Sequence, residues 1–166
     1  TLGGGNGTGT GTGGDLQMTT TPPGTSTGSS QNNVAARQYL YAGEKSLTDA
    51  TATAVVAVGV LSGKYAGGRL IATVHADNGT DYQALTQSFT FSVVNKAGTG
   101  TVSLQATPST SATAASSGTL SATWDSEFSG NVLNLRCNAT SSLTETTLKV
   151  SWQIILNGVV SSVTPY

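Results

Sequence analysis

Residues 69–94 read RLIATVHADNGTDYQALTQSFTFSVV, and this stretch decides the fold class. Between positions 69 and 76 every second residue is Leu, Ala, Val or Ala, which is the two-residue period of a half-buried strand. The Asn78-Gly79 pair that follows is favoured in type I′ hairpin turns. Tyr82 to Val94 then runs back as a long strand with Phe and Val at alternate positions. The stretch predicts an antiparallel β-hairpin closed by a tight type I′ turn.

Strand patterns continue on both sides of this hairpin. Turns are predicted at Lys64–Gly68 and Asn95–Gly98. Further strands are predicted at residues 36–41, 51–61, 101–106, 118–124, 132–137, 146–156 and 159–163. No stretch keeps an apolar 3.6-residue period for three turns, so helix should be minor. The sequence therefore predicts an all-β protein, an antiparallel β-sandwich or jelly roll with eight or more strands.

The composition changes near residue 33. Thr1 to Asn33 contains one charged residue, Asp15, and no aromatic or β-branched aliphatic residue, so it has little to bury. We predict an extended Gly/Thr/Ser-rich arm or linker at residues 1–33 and a β-sandwich domain at 34–166, of about 130 residues. Because the chain starts at Thr1 and not at Met, we expect a processed chain, a cloned fragment or the ordered part of something longer.

Charged residues make up 9% of the chain, against about 25% in average soluble proteins. Seven Lys and Arg are balanced by eight Asp and Glu, which disfavours nucleic acid as a partner. A neutral polar surface also lacks a common guard against association, so we expect a defined oligomer or a protein that works outside cells. No apolar run approaches the roughly 18 residues of a membrane span, so no membrane anchor is expected.

Candidate catalytic residues are few. The one histidine, His75, falls on the exposed-looking face of its strand. Cys137 alternates with leucines that point inward, whereas reactive thiols need an exposed electropositive setting. As the one cysteine, it has no partner in the chain for a disulfide. We therefore expect a buried thiol and no catalytic residue.

Asp77 and Asp81 flank the Asn-Gly turn and would be the place for a bound calcium ion. Calcium prefers six or more oxygen ligands, so a role in forming the turn is favoured over a metal site. The Gly-rich opening follows no strand and precedes no lysine or helix, which argues against a phosphate loop. The sequence therefore predicts no metal and no cofactor.

Aromatic and acidic side chains are the candidates for contact with a sugar. Tyr65, in a predicted turn, and Tyr166 are better placed for this than the two tryptophans, which fall in predicted strands. Asp125 and Glu127 follow Trp124 in a predicted loop, where carboxylates beside an aromatic ring could bind a sugar, although a solvated loop is the commoner explanation. The candidate ligand contacts are Tyr65 and Asp125.

Several turn and strand segments resemble one known group of proteins. They are residues 46–53 (SLTDATAT), 67–71 (GGRLI), 77–83 (DNGTDYQ), 95–98 (NKAG), 118–120 (GTL) and 138–143 (NATSSL). These segments resemble tailed-phage virion proteins in which a β-rich domain follows Gly-rich linkers in fibre-like or appendage proteins. The resemblance spans Gln38 to Leu156. It implies a homotrimeric virion component, and it assigns no functional residues by position.

Three functions remain open at this point. The first is a non-enzymatic virion structural protein of the head, neck or tail, such as a fibre, an appendage or a capsid decoration, trimeric and anchored by its N-terminal arm to other virion proteins. The second is a receptor-binding module that recognises a host cell-surface polysaccharide. The third, a glycan-degrading enzyme, needs two carboxylates at a fixed separation in a cleft, and the few acids fall mostly in predicted turns.

Overall fold

The computed structural model describes residues 16–20, 36–145 and 147–166, with the backbone alone for residues 16–20 and 36–39. These ranges contain strands and no helix, which confirms the all-β prediction. In chain order the strands are β1 Leu16–Thr20, β2 Ala36–Ser46, β3 Thr53–Gly59, β4 Tyr65–Asp77, β5 Tyr82–Lys96, β6 Thr99–Leu104, β7 Thr110–Ala115, β8 Leu120–Ser129, β9 Val132–Ser141, β10 Thr147–Gly158 and β11 Ser162–Pro165.

The strands form two antiparallel sheets. Sheet A has the order β1-β2-β10-β4-β5-β6, and β7 pairs with β5 beyond the end of β6. Sheet B has the order β11-β3-β9-β8. In the predicted arm, β1 pairs with residues 36–40 of β2. The predictions for residues 1–15 and 21–33 lie outside the described residues.

One hydrophobic core joins the two sheets. On β4 the side chains at positions 70, 72, 74 and 76 are buried, as the alternation predicts. The largest side chains that are fully buried come from both sheets and include Leu70, Val56, Leu133, Leu135, Ile154 and Leu156. Each such side chain stabilises the fold by about 1.5–3 kcal/mol relative to exposure. The two sheets therefore form a sandwich, whose outer faces are the sides away from this core.

The central hairpin is confirmed, but its predicted turn type is wrong. Asp77 and Tyr82 are the last pair of the β4–β5 ladder, so four residues form the loop instead of two. Gly79 has a positive φ of 85°, and Asn78 does not have the positive φ that a type I′ turn requires. Instead, the Asn78 side-chain Oδ1 accepts the backbone N–H groups two and three residues later, at 3.0 and 2.8 Å. This side-chain bonding stabilises the wider loop.

A two-residue turn with the type I′ signature joins β5 to β6. Lys96 pairs with Thr99, and the two residues between them, Ala97 and Gly98, have φ values of 56° and 86°. The turn predicted at this place is confirmed.

The turn predicted at Lys64–Gly68 is wrong, because β4 already begins at Tyr65. The chain turns earlier, where the Lys64 N–H donates to the Leu61 carbonyl at 3.0 Å. Gly68 serves a different purpose, since a Cβ at this position would collide with the backbone carbonyl of Ile155 on β10. The glycine allows two strands to approach closely.

Two buried amide side chains tie the loops to the sandwich. Gln83, 1% exposed, donates through Nε2 to the Ser117 carbonyl at 2.8 Å and accepts the Ser141 hydroxyl at 2.8 Å. Asn95, 3% exposed, donates through Nδ2 to the Val60 carbonyl at 2.7 Å. Because these residues lie near opposite ends of β5, both ends of the sandwich have a fixed loop arrangement.

Candidate functional site

Tyr65 lies on the outer face of sheet A at the start of β4, where its side chain is 63% exposed. It pairs with Val94 of β5, and on its other side the Val159 N–H donates to its carbonyl at 2.9 Å. Val94 is 52% exposed and Val159 is 44% exposed. The three residues form an exposed row of one aromatic and two aliphatic side chains. Such a row suits contact with the apolar face of a ligand ring.

Asp125 lies on the outer face of sheet B. It is part of β8, as is Glu127, so the predicted loop at these residues is wrong. Neighbouring side chains of a strand point to opposite faces, so Asp125 is turned away from the ring of Trp124. Trp124 packs against the core, with its ring centroid 5.7 Å from that of Phe89. The predicted arrangement of a carboxylate beside an aromatic ring is therefore absent at Asp125.

Arg136 of β9 binds both carboxylates of β8. Its Nε and Nη2 donate to the two oxygens of Asp125 at 2.7 and 2.9 Å, and its Nη1 donates to Glu127 Oε2 at 2.8 Å. The hydrogen bond with Asp125 is the main cause that raises the pKa of Arg136 above its usual value. Exposed pairs of this kind contribute about 0–1 kcal/mol. A ligand that contacts Asp125 would have to share it with Arg136.

Tyr166 lies near this cluster. Its hydroxyl donates to Asn134 Oδ1 at 2.8 Å, and its side chain is 49% exposed. Asn134 and Arg136 are two residues apart on β9 and share one face. The structure thus places Tyr166 on the same side of the sandwich as Asp125, with Tyr65 on the opposite side. The two candidate contacts, Tyr65 and Asp125, do not form one site.

Each side chain considered for catalysis or metal binding is either buried in the core or close to a neighbouring polar side chain. Cys137 is buried without exposure, as predicted, and this burial raises its pKa to about 12. His75 Nε2 lies 3.7 Å from Asp77 Oδ2 on an exposed face. Asp81 Oδ1 accepts the Ser116 hydroxyl at 2.9 Å. In the part of the chain that the structure describes, no three His, Cys, Asp or Glu side chains converge as a metal site.

The described residues also include no helix long and apolar enough to span a membrane. No protein-family model matches the sequence, and no curated protein matches it.

Two solved structures resemble this fold. The tailspike protein of Acinetobacter baumannii phage AM24 is 12% identical, with a TM-score of 0.43 over 79% of this chain and 28% of that chain. The tailspike protein of Acinetobacter phage vB_ApiP_P1 is 13% identical, with a TM-score of 0.37 over 87% of this chain and 26% of that chain. The chain thus spans little more than a quarter of either tailspike. Both TM-scores lie below 0.5, so the likeness does not by itself assign a function.

Proposed function

We propose that this chain is a non-enzymatic structural part of a tailed-phage virion, in the head, neck or tail. In this proposal the β-sandwich forms a homotrimer, and the N-terminal arm attaches it to another virion protein. The role agrees with the tailspike identity of the two similar structures, but it does not rest on them.

The observation that carries the proposal is where the phage-like segments lie in the fold. Residues 77–83 close the central hairpin, and residues 138–143 lead out of β9. Gln83 of the first segment is hydrogen-bonded to Ser141 of the second. Here two of the resembling segments meet in one buried contact, which favours a shared structural unit.

The carboxylates of the described residues support the non-enzymatic part of the proposal. A glycosidase needs one carboxyl group that carries a proton for the leaving oxygen. Asp125 and Glu127 both belong to β8, and both accept hydrogen bonds from Arg136. Both lie exposed on the outer face of one strand, whereas the carboxyl pair of a glycosidase flanks the scissile bond. We therefore expect no release of reducing sugar from host polysaccharide, and sustained release would revive the enzyme hypothesis.

Labelling of purified particles tests the virion role. Gold-labelled antibody raised against residues 36–166 should mark one defined position on phage particles, seen by electron microscopy. Pre-immune antibody is the matched control. Recovery of the chain entirely outside particles would contradict the proposal.

Light scattering tests the homotrimer. The 16.6 kDa chain should elute with about three times that mass, because a surface with few charges and a net charge of -1 opposes association only weakly. A monomer at all concentrations tested would overturn this part of the proposal.

A receptor-binding module is the second candidate, and the exposed row of Val159, Tyr65 and Val94 favours it. Monomeric proteins rarely leave large apolar surfaces open without a binding role. On a glycan array, binding should be lost with Tyr65→Ala. Asp125→Ala tests the other candidate contact in the same way, and no binding across a broad array would favour a purely structural part.

A further inference from the structure

A shallow concavity of about 410 Å³ lies on sheet A near its free edge. It is formed by β5, β6 and the loop that leads to β7. Its lining consists of Thr90, Phe91, Ser92, Ser103, Gln105 and Ser109. Phe91 is buried, so neutral hydroxyl and amide groups supply the polar contacts.

Several polar groups of this concavity remain available to a ligand. Gln105 Oε1 accepts the Thr90 N–H at 3.2 Å and the Ser109 hydroxyl at 2.8 Å. Both bonds use the oxygen, which leaves the Gln105 amide NH₂ with donors to offer. Ser92 and Ser103, directly opposite each other on β5 and β6, are both exposed. Paired hydroxyls and a fixed amide are suited to the hydroxyl groups of a sugar.

A guanidinium group lies at the border of the concavity. Arg69 of β4 pairs with Thr90, a lining residue, and its Nη2 donates to the Ser88 hydroxyl at 3.1 Å. Ser88 is 2% exposed and shares a 2.9 Å hydrogen bond with Thr110, so this contact holds the arginine in place. The ion pairs among the described residues use other cations. The remaining N–H groups of Arg69 are thus free of carboxylate partners there and can bind an anion in bidentate fashion.

The exposed row of Val159, Tyr65 and Val94 borders the concavity on the side away from Arg69. Gly67, between Tyr65 and Arg69 on β4, pairs with Ser92 and presents no side chain. The outer face therefore runs from an aromatic ring, over a low floor of glycine and serine, to a guanidinium. A sugar ring with a carboxylate substituent matches this order of apolar, hydroxyl-binding and anion-binding groups.

We propose that the concavity beside Arg69 binds an acidic saccharide, with the sugar carboxylate on Arg69 and the sugar hydroxyls on Ser92, Ser103 and Gln105. The inference goes beyond the virion role and does not depend on it. If the chain is a receptor-binding module, this concavity on sheet A would be its binding site, and Asp125, on sheet B, would not be part of it.

Isothermal titration of the full chain with defined oligosaccharides tests the proposal. The probes are hyaluronan, oligogalacturonate and sialylated oligosaccharides, each compared with its carboxyl-reduced form. At least one acidic probe should bind with a Kd of about 1 mM or tighter, and its reduced form should bind about tenfold more weakly. No binding by any acidic probe, or equal binding of the reduced form, would overturn the site.

Variants locate the binding. Arg69→Gln should weaken it about tenfold or more. Lys149→Gln also removes one positive charge and should leave binding unchanged, because Lys149 pairs with Glu44, six residues along β10 from Ile155, the partner of Arg69. Ser103→Glu places a carboxylate at an exposed strand position and should also abolish binding without unfolding the protein. Thermal unfolding of each variant confirms its fold. Unchanged affinity in folded Arg69→Gln or Ser103→Glu would contradict the proposal, whatever the outcome of particle labelling.

Discussion

Single buried polar groups hold this sandwich at its two ends. Asn95 uses Nδ2 for the Val60 carbonyl and for Asn131 Oδ1, both at 2.7 Å, and its Oδ1 accepts the Gly98 N–H at 2.9 Å. Its side chain thus joins three loops, and it is only 3% exposed to solvent. Removing one member of such a network leaves the others buried and unpaired.

We therefore expect Asn95→Ala to lower the free energy of unfolding by about 2–4 kcal/mol. Urea denaturation monitored by tryptophan fluorescence measures this. Asn157→Ala is the matched control, because Asn157 is exposed on β10, and its effect should stay within about 0.5 kcal/mol. Equal effects of the two substitutions would show that the Asn95 network contributes little.

The buried thiol of Cys137 gives a pH-dependent prediction. Burial raises its pKa to about 12 from the usual 9.0, so the unfolded chain loses this proton first as the pH rises. The resulting stability is fully present below pH 9.0 and is lost as the pH approaches 12. Between these values, unfolding free energy should fall by up to about 1.4 kcal/mol per pH unit from this group.

Urea denaturation across this range, for the native chain and for Cys137→Ala, isolates the contribution. The unfolding free energy of the variant should lack this additional decrease between pH 9.0 and about 12. Its lower unfolding free energy at pH 7 is the reference value for the comparison. Ellman's reagent should also react with Cys137 at the rate of unfolding. Fast reaction of the folded chain would contradict the buried thiol.

The β5–β6 turn holds one non-glycine residue in a strained backbone conformation. Ala97 has a φ of 56°, a left-handed conformation in which a Cβ is unfavourable and which Asn tolerates better. Ala97→Asn should stabilise the protein by about 0.5–1 kcal/mol. Gly98→Ala, at a φ of 86°, should destabilise it by about 1 kcal/mol or more.

Thermal unfolding of both turn variants measures these opposite effects. If Ala97→Asn lowered the melting temperature, the two-residue type I′ turn would be wrong.

Strands with alternating large apolar side chains could be predicted from the sequence. The period of two predicted the buried face of β4, β5 and β9 correctly, because each buries one face on a core. The start of β4 was predicted too late, since the strand begins at Tyr65 and not at Arg69. Strand β7 was missed, since its sequence TSATAA has no large side chain and all six residues are exposed. Its position comes from pairing with β5, a long-range contact that local sequence does not encode.

The places of the two candidate contacts, Tyr65 and Asp125, in the fold could not be predicted from the sequence. The sequence predicts a turn at Tyr65, but this residue begins β4, and the glycines that follow it permit close strand packing. The sequence predicts a loop at Asp125, yet this residue belongs to β8, whose polar residues alternate and face solvent. Its partner Arg136 lies on the next strand, and cross-strand register brings the two together.

We propose that the whole molecule is a virion part that is attached to the particle through its N-terminal residues. The structure refines how attachment is tested, because β1 pairs with β2 and belongs to sheet A. Deletion of residues 1–33 would remove an edge strand together with the arm. Deletion of residues 1–15 leaves β1 in the chain and therefore separates attachment from folding.

Quantitative mass spectrometry of purified phage particles tests this claim most directly. Cells would supply equal amounts of the full chain and the form that lacks residues 1–15, each with its own mass tag, during phage assembly. A full chain with the tags exchanged controls for tag effects. We expect particles to contain the full chain and to exclude the folded, truncated form. Equal incorporation of both forms, or the absence of both from particles, would contradict it.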